Sequence, residues 1–272
     1  MGGTEERHSF CDKSEIEHKM EFIFAVVVLA FICEFIDSTL GMGYGTTLTP
    51  LLLLMGFDPL QIVPAVLLSE VFTGIFAGLA HHSIGNVDLK PGSLHFMIFS
   101  VLSICSIFGA VAAVLIAVNI PKIILKTYIG VLALTIGVVI LITIKRGKTH
   151  LFSWKKIVGL SILASFNKGI SGGGYGPVVC GGQILSGVEG KKAIGVTSFA
   201  EGLTCFVGVL GFLFTTNSID WVLAPYLIIG AMLSVPVSAL AVKRIDTQRL
   251  TLIIGIVLVV LGSLTLASIY LF

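Results

Sequence analysis

The chain has 272 residues, of which 56% are apolar and 12% charged, about half the charged share of an ordinary soluble domain. Its formal net charge of +2 is spread thinly over loops, which excludes the dense basic face of a nucleic-acid binder. Five cysteines (Cys11, Cys33, Cys105, Cys180, Cys205) fall at no CxxC or Cys/His spacing, so neither a disulfide framework nor a metal site is expected.

In chain order, residues 1–21 form a polar tail with more acids than bases. It lacks the basic start of a cleavable signal and is expected to stay with the mature protein. Residues 22–144 follow as a membrane unit. The unit opens with an interrupted apolar stretch (22–55), in which "FIFAVVVLAFIC" runs into "IDSTLGMGYGTTLTP". Next come a helix with a central Glu70 (61–80) and two helices free of charge over most of their length (95–118 and 123–144). Spans of about 20 apolar residues are long enough to cross a bilayer. The linker 145–156, "KRGKTHLFSWKK", carries five bases and no acid, which places it in the cytoplasm by the positive-inside rule. Residues 157–272 then give a second interrupted stretch (157–187), a helix with a central Glu201 (192–213) and two more apolar helices (221–242 and 250–271).

The second unit repeats the first. A shift of 131 residues lays "GMGYGT" (41–46) on "GGGYGP" (172–177), Gly56 on Gly187 and Glu70 on Glu201 without a gap. Suppose each interrupted stretch returns to the side it entered from. The cytoplasmic loops then hold eleven bases and the outer loops five, leaving out Lys168; a single crossing gives nine and seven. The first count predicts an all-α polytopic membrane protein of two inverted repeats, each a glycine-broken helix pair or re-entrant unit plus three spanning helices. Both termini lie outside. Inverted repeats with broken helices are the organisation of many secondary transporters, with the site at the midplane where the breaks meet.

Irregular backbone at membrane depth is tolerated where it is buried in protein or lines a cavity. Gly41, Gly43 and Gly45, with Gly172, Gly173 and Gly174, permit such breaks, and the helix that resumes after each presents unpaired N–H groups suited to an anion. Close packing of small residues is the competing explanation. Lys168 beside the second break needs a partner or a task, since a lysine at the bilayer centre costs at least about 2.5 kcal/mol. Asp37, 131 residues earlier, is its expected resting partner, in competition with an anionic substrate. Tyr44, Thr46, Asn167, Ser171 and Tyr175 are expected to add hydrogen bonds. Glu70 and Glu201, far from their helix ends, are candidates for binding a proton or sodium ion; Glu34 carries less information. "GISG" (169–172) fits the GxSG of intramembrane serine proteases, but all six histidines lie in the tail, in loops or at helix ends, leaving Ser171 without an evident base.

The chain resembles the TauE/SafE transporters over about residues 22 to 272. The resemblance rests on "GMGYGTTLTPLLLLMG" (41–56), "HHSIGNVDLK" (81–90) and "GISGGGYGPVVCGG" (169–182). It implies a carrier of sulfite, sulfonates or related organosulfur anions. The second copy departs from the first in carrying Pro177 just after its glycines and Gly181 where Pro50 would fall, so the two half-sites need not be chemically equal. No G-x-x-x-x-G-K-[ST] motif is present, so the expected energy source is an H+ or Na+ gradient or a separate protein, with no cofactor. The remaining expectations are a lipid bilayer as surroundings, no nucleic acid, no enzymatic role and a possible homo-oligomer, with a channel-like facilitator as the second function class.

Overall fold

The computed structural model describes residues 5–143, 153–186, 188–216, 219–242 and 247–271. Ten α-helices and no strand occur among them: α1 (Glu5–Leu40), α2 (Tyr44–Leu54), α3 (Pro59–Ser83), α4 (Leu94–Ala117), α5 (Lys122–Thr143), α6 (Trp154–Ser171), α7 (Tyr175–Leu185), α8 (Gly190–Thr216), α9 (Ala224–Ala241) and α10 (Thr247–Tyr270). Seven are long and apolar enough to cross a membrane: α1 from Met20 onward, α3, α4, α5, α8, α9 and α10. The chain is a multi-pass membrane protein. Its outward faces carry large apolar side chains such as Phe108, Phe214 and Leu233, which suit lipid and would be a liability in water.

Both expected breaks are present, and in each the chain doubles back. α1 stops at Leu40 because Gly41 (φ 69°) and Gly43 (φ 137°) take backbone conformations open mainly to glycine. α2 then runs back beside α1, which brings the rings of Phe22 and Phe57 to 5.8 Å. α6 ends in the same way at Gly172 (φ 71°), with Gly174 at φ 81°. α7 returns along α6 so closely that a Cβ on Gly182 would overlap Leu160. α2 and α7 have 11 residues each, about 16 Å of helix, so each spans only about half of a 30 Å hydrocarbon core.

The two hairpins open at opposite ends of the molecule. At one end, with Phe22 and Phe57, lie the Lys122–Asp58 ion pair at 2.8 Å, a hydrogen bond from Gln61 to Asp220 at 3.3 Å and one between Thr127 and Tyr270 at 2.8 Å. At the other, Thr143, Lys156, Ser186 and Thr251 line one cavity. α5 runs from the first end to the second. Packing repeats when the copies are exchanged: α4 lies along α6 as α9 lies along α1, α4 meets α8 as α9 meets α3, and the pairs α3/α8 and α5/α10 map onto themselves. α3 and α8 are the most enclosed spans, 67% and 61% buried over their apolar windows.

Three boundaries differ from expectation. α1 begins at Glu5, so the described part of the tail expected over residues 1–21 is helical into the span. α3 starts at Pro59, capped by Asp58, whose N–H donates to Gln61 Oε1 at 3.1 Å. α9 starts at Ala224 rather than 221, because Asp220 Oδ1 accepts from the amides of Val222 (2.9 Å) and Leu223 (3.0 Å) and holds those residues in a turn. Residues 145–152 of the basic linker and the loop at Asn217 lie outside the described residues.

Candidate functional site

The two breaks cross at the centre of the molecule with their backbones in contact. A Cβ on Gly45 would overlap the Gly172 carbonyl, one on Gly173 would lie 2.7 Å from the Thr46 backbone, and one on Gly176 would overlap the Gly41 carbonyl. Gly174 N–H donates to Thr46 Oγ1 at 2.9 Å. The glycines therefore serve both expected purposes at once: they end the helices and they let two unwound segments touch. Carbonyls left over at the end of α1 are taken by Gly41 N–H on Asp37 O (2.6 Å), His81 Nε2 on Ser38 O (3.0 Å) and Cys180 Sγ on Leu40 O (3.4 Å). These groups would otherwise be orphaned in the protein interior.

Beside the crossing, α3 and α8 approach so closely that a Cβ on Gly74 would come within 2.8 Å of Gly202 Cα. That contact sets Glu70 and Glu201 on either side of one cation. Lys168, in the last turn of α6, forms ion pairs with Glu70 and, at 2.7 Å, with Glu201 Oε1. All three are buried, Lys168 to 1% exposure. An unpaired ammonium at such a position would lose several kcal/mol of solvation, and two carboxylates at equivalent positions of the two copies offset that loss.

Asp37 is not the partner of Lys168. Its Oδ1 accepts from Tyr44 N–H at 3.0 Å, so the carboxylate sits at the positive end of α2, where a helix terminus favours negative charge. The anion held by the first break is thus the chain's own. In the second copy Lys168 occupies the equivalent position, and the start of α7 has no such carboxylate; Tyr175 and Gly176 head that helix, where amides lack acceptors within the helix.

Tyr44 and Tyr175 are fully buried and reach sideways: Tyr44 OH bonds Ser69 Oγ at 2.8 Å, and Tyr175 OH lies 3.5 Å from Ser106 Oγ. Ser171 Oγ donates to Asn167 O at 2.7 Å and accepts from Gly173 N–H at 3.2 Å. Its bonds in the structure thus run to backbone groups and not to a histidine. Asn167 Oδ1 accepts from Tyr128 OH at 2.6 Å. Gly45, Thr46, Ser171 and Gly173 line a void of about 10 Å³, the size of one water. A larger cavity of about 610 Å³ has Met42, Asn167 and Pro177 at the breaks and Lys156, Thr143, Ser186 and Thr251 at the linker end. Lys168 lines neither.

The expected residues are thereby divided into two groups. Lys168, Glu70 and Glu201 form an ion-paired cluster; Gly41, Gly43, Gly45, Thr46 and Gly172–Gly174 form the crossing. His81 lies in the last turn of α3, at a helix end as expected, but sequence reasoning gave it no role. It is fully buried, and its Nδ1 faces Asn86 Nδ2 at 3.0 Å. Nδ1 accepting from the amide fixes Nε2 as the donor to Ser38 O. The signal was the "HHSIGNVD" segment, which couples this histidine to an asparagine five residues on.

The family model described as sulfite exporter TauE/SafE matches residues 26–265. The chain belongs to the TauE/SafE family. It is 28% identical over 265 residues to probable membrane transporter protein YtnM of Bacillus subtilis (strain 168), covering 89% of this chain and 83% of that protein. Probable membrane transporter protein YunE of the same organism is 24% identical over 276 residues, covering 89% and 96%. Probable membrane transporter protein ORF9 of a Sinorhizobium species is 27% identical over 227 residues, covering 82% of each. No solved structure matches the chain. The TauE/SafE match reaches from within α1 to within α10, so the crossing and the ion-paired cluster lie inside the matched region. The protein is a membrane transporter of this family.

Proposed function

We propose that this TauE/SafE protein is a secondary active transporter of a small sulfur-containing anion, of the sulfite, thiosulfate or organosulfonate class. It works by alternating access between two repeats inverted across the membrane, driven by protons or sodium. The observation that carries this reading is one buried lysine bridged by two equivalent carboxylates beside the crossed breaks. An oxyanion can take the ammonium only by displacing a carboxylate, and a displaced buried carboxylate must be neutralised. Anion movement is thereby tied to a proton or a sodium ion. Asn167, Ser171, Gly172–Gly174, Tyr175 and the first break shape the place into which the ammonium would turn. The 610 Å³ cavity supports entry from the linker side, since along α6 from Lys156 to Asn167 it reaches about 16 Å into the molecule. Inversion is supported by the opposite openings of the two hairpins, each followed by three spans.

A channel-like facilitator would share the breaks but could not concentrate its solute. Purified protein in liposomes should accumulate one of sulfite, thiosulfate, sulfate, taurine or sulfoacetate above the external concentration when a proton or sodium gradient is imposed. Equilibration without accumulation would establish the facilitator, and retained anion affinity in Lys168→Met would remove the lysine from the site.

A further inference from the structure

Among the described residues four acids are buried at the centre of the molecule, and three have an evident counterpart. Asp37 holds the Tyr44 amide; Glu70 and Glu201 hold Lys168. Glu34, on α1 and 2% exposed, forms no ion pair with Lys, Arg or His among the described residues, and its Oε2 has no hydrogen-bond partner. On α3, Glu70 Oε1 is also without a partner, at 3% exposure. Thr73, 1% exposed and one helical turn from Glu70 on the same face, offers its hydroxyl to the Glu34 carboxyl. Two buried carboxylate oxygens, on side chains that interact with one another, thus stand without a partner. Leaving them so would cost several kcal/mol; one bound proton would resolve the conflict.

We propose that Glu34 and Glu70 hold one proton between them beside Thr73, which makes Glu34 a third carboxyl of the coupling site. The other groups that interact with Glu34 are Cys33 and Asp37 on α1, Tyr44 on α2 and Glu201 on α8. None is cationic, and Lys168 is already shared by two carboxylates. A proton suits the spot better than a metal ion. Hard cations take about six oxygens, whereas three are on offer, and among the described residues no group of three or more His, Cys, Asp or Glu is placed to hold a metal. The shared proton gives Glu70 Oε1 a partner in Glu34, while Oε2 holds Lys168 and accepts from Cys205 Sγ at 3.4 Å. When the ammonium turns to an anion, Glu70 can keep the proton. This role rests on the transporter reading, but the proton's presence does not.

The test is infrared spectroscopy of the purified protein at neutral pH in H2O and D2O. The wild type should show the carbonyl stretch of a protonated carboxylic acid, shifted by deuterium. Glu34→Gln should lose that band, Glu201→Gln should keep it, and Glu34→Gln, which copies the protonated shape, should melt within about 2 °C of the wild type. A band unchanged in Glu34→Gln, or absent from the wild type, overturns the proposal. If the glutamine variant does not fold, Glu34→Asp carries the test: a moved band supports it and an unmoved band refutes it. Sodium chloride that raises the melting temperature of the wild type but not of Glu34→Gln, against choline chloride, also refutes it in favour of a metal ion. Failure to accumulate an anion in liposomes would overturn the transport reading and leave the band untouched.

Discussion

At the scale of single residues the centre is governed by the cost of burying charge. Lys168, Glu70 and Glu201 are each nearly inaccessible, and removing one partner from a buried ion pair costs about 3–5 kcal/mol because the other is left uncompensated. Lys168→Met should therefore lower the melting temperature in detergent, and Lys168→Met combined with Glu70→Gln and Glu201→Gln should recover much of the loss. Additive losses would mean that the three side chains do not act as one unit. For transport, Glu70→Gln and Glu201→Gln should each weaken the dependence of flux on pH or sodium, whereas unchanged dependence in both would show that coupling resides elsewhere. His81 belongs to the same scale: His81→Phe would strip the donor from Ser38 O at the end of α1, a loss of about 1–3 kcal/mol. His81→Gln, which can still donate, should recover part of it.

At the scale of elements the molecule depends on where helices stop. Gly41 and Gly172 end α1 and α6, and a substitution at either is strained by its positive φ. Gly45 has an ordinary φ but meets the Gly172 carbonyl. Gly45→Val should thus destabilise by at least about 1–3 kcal/mol through overpacking, whereas Gly159→Ala and Gly181→Ala, which face open space, should shift stability by less than about 0.5 kcal/mol. Equal losses at the three positions, read as melting temperatures, would refute the crossing. The sequence displayed this level well: two glycine clusters at a fixed offset marked both breaks, and the glutamates at the same offset marked the two helices that flank the lysine. The count of bases also predicted that each interrupted stretch returns to the side it entered from, but not whether it does so as a half-length hairpin or as a full second crossing, because the two have the same composition and differ only in what the returning helix packs against.

For the whole molecule, the proposed topology makes a directional prediction. Lys148 and Asn217, the natural reporters for linker and outer loop, lie outside the described residues, but Lys122 and Lys192 sit at the two ends that the structure defines. With each replaced in turn by cysteine in a variant free of other exposed cysteines, Lys122→Cys should react with an impermeant reagent from outside the cell. Lys192→Cys should react only after permeabilisation. The reverse pattern would turn the molecule over and put the 610 Å³ cavity on the outer face.

The sequence by itself determined that this is a membrane protein of two related units with unwound backbone and charge at its centre, because hydropathy, glycine and an intramembrane lysine are each too costly in lipid to occur without compensation. Only the tertiary structure decided who pairs with whom. Asp37 and Lys168 occupy matched positions and carry opposite charge, which made them the natural pair on paper. The fold instead set Asp37 on the amide of Tyr44 and gave Lys168 to the two glutamates. A charge at a helix end is claimed by whichever polar group its rotamer reaches first, and that distance is set by how α3 and α8 cross at Gly74 and Gly202, which no pattern along the chain records.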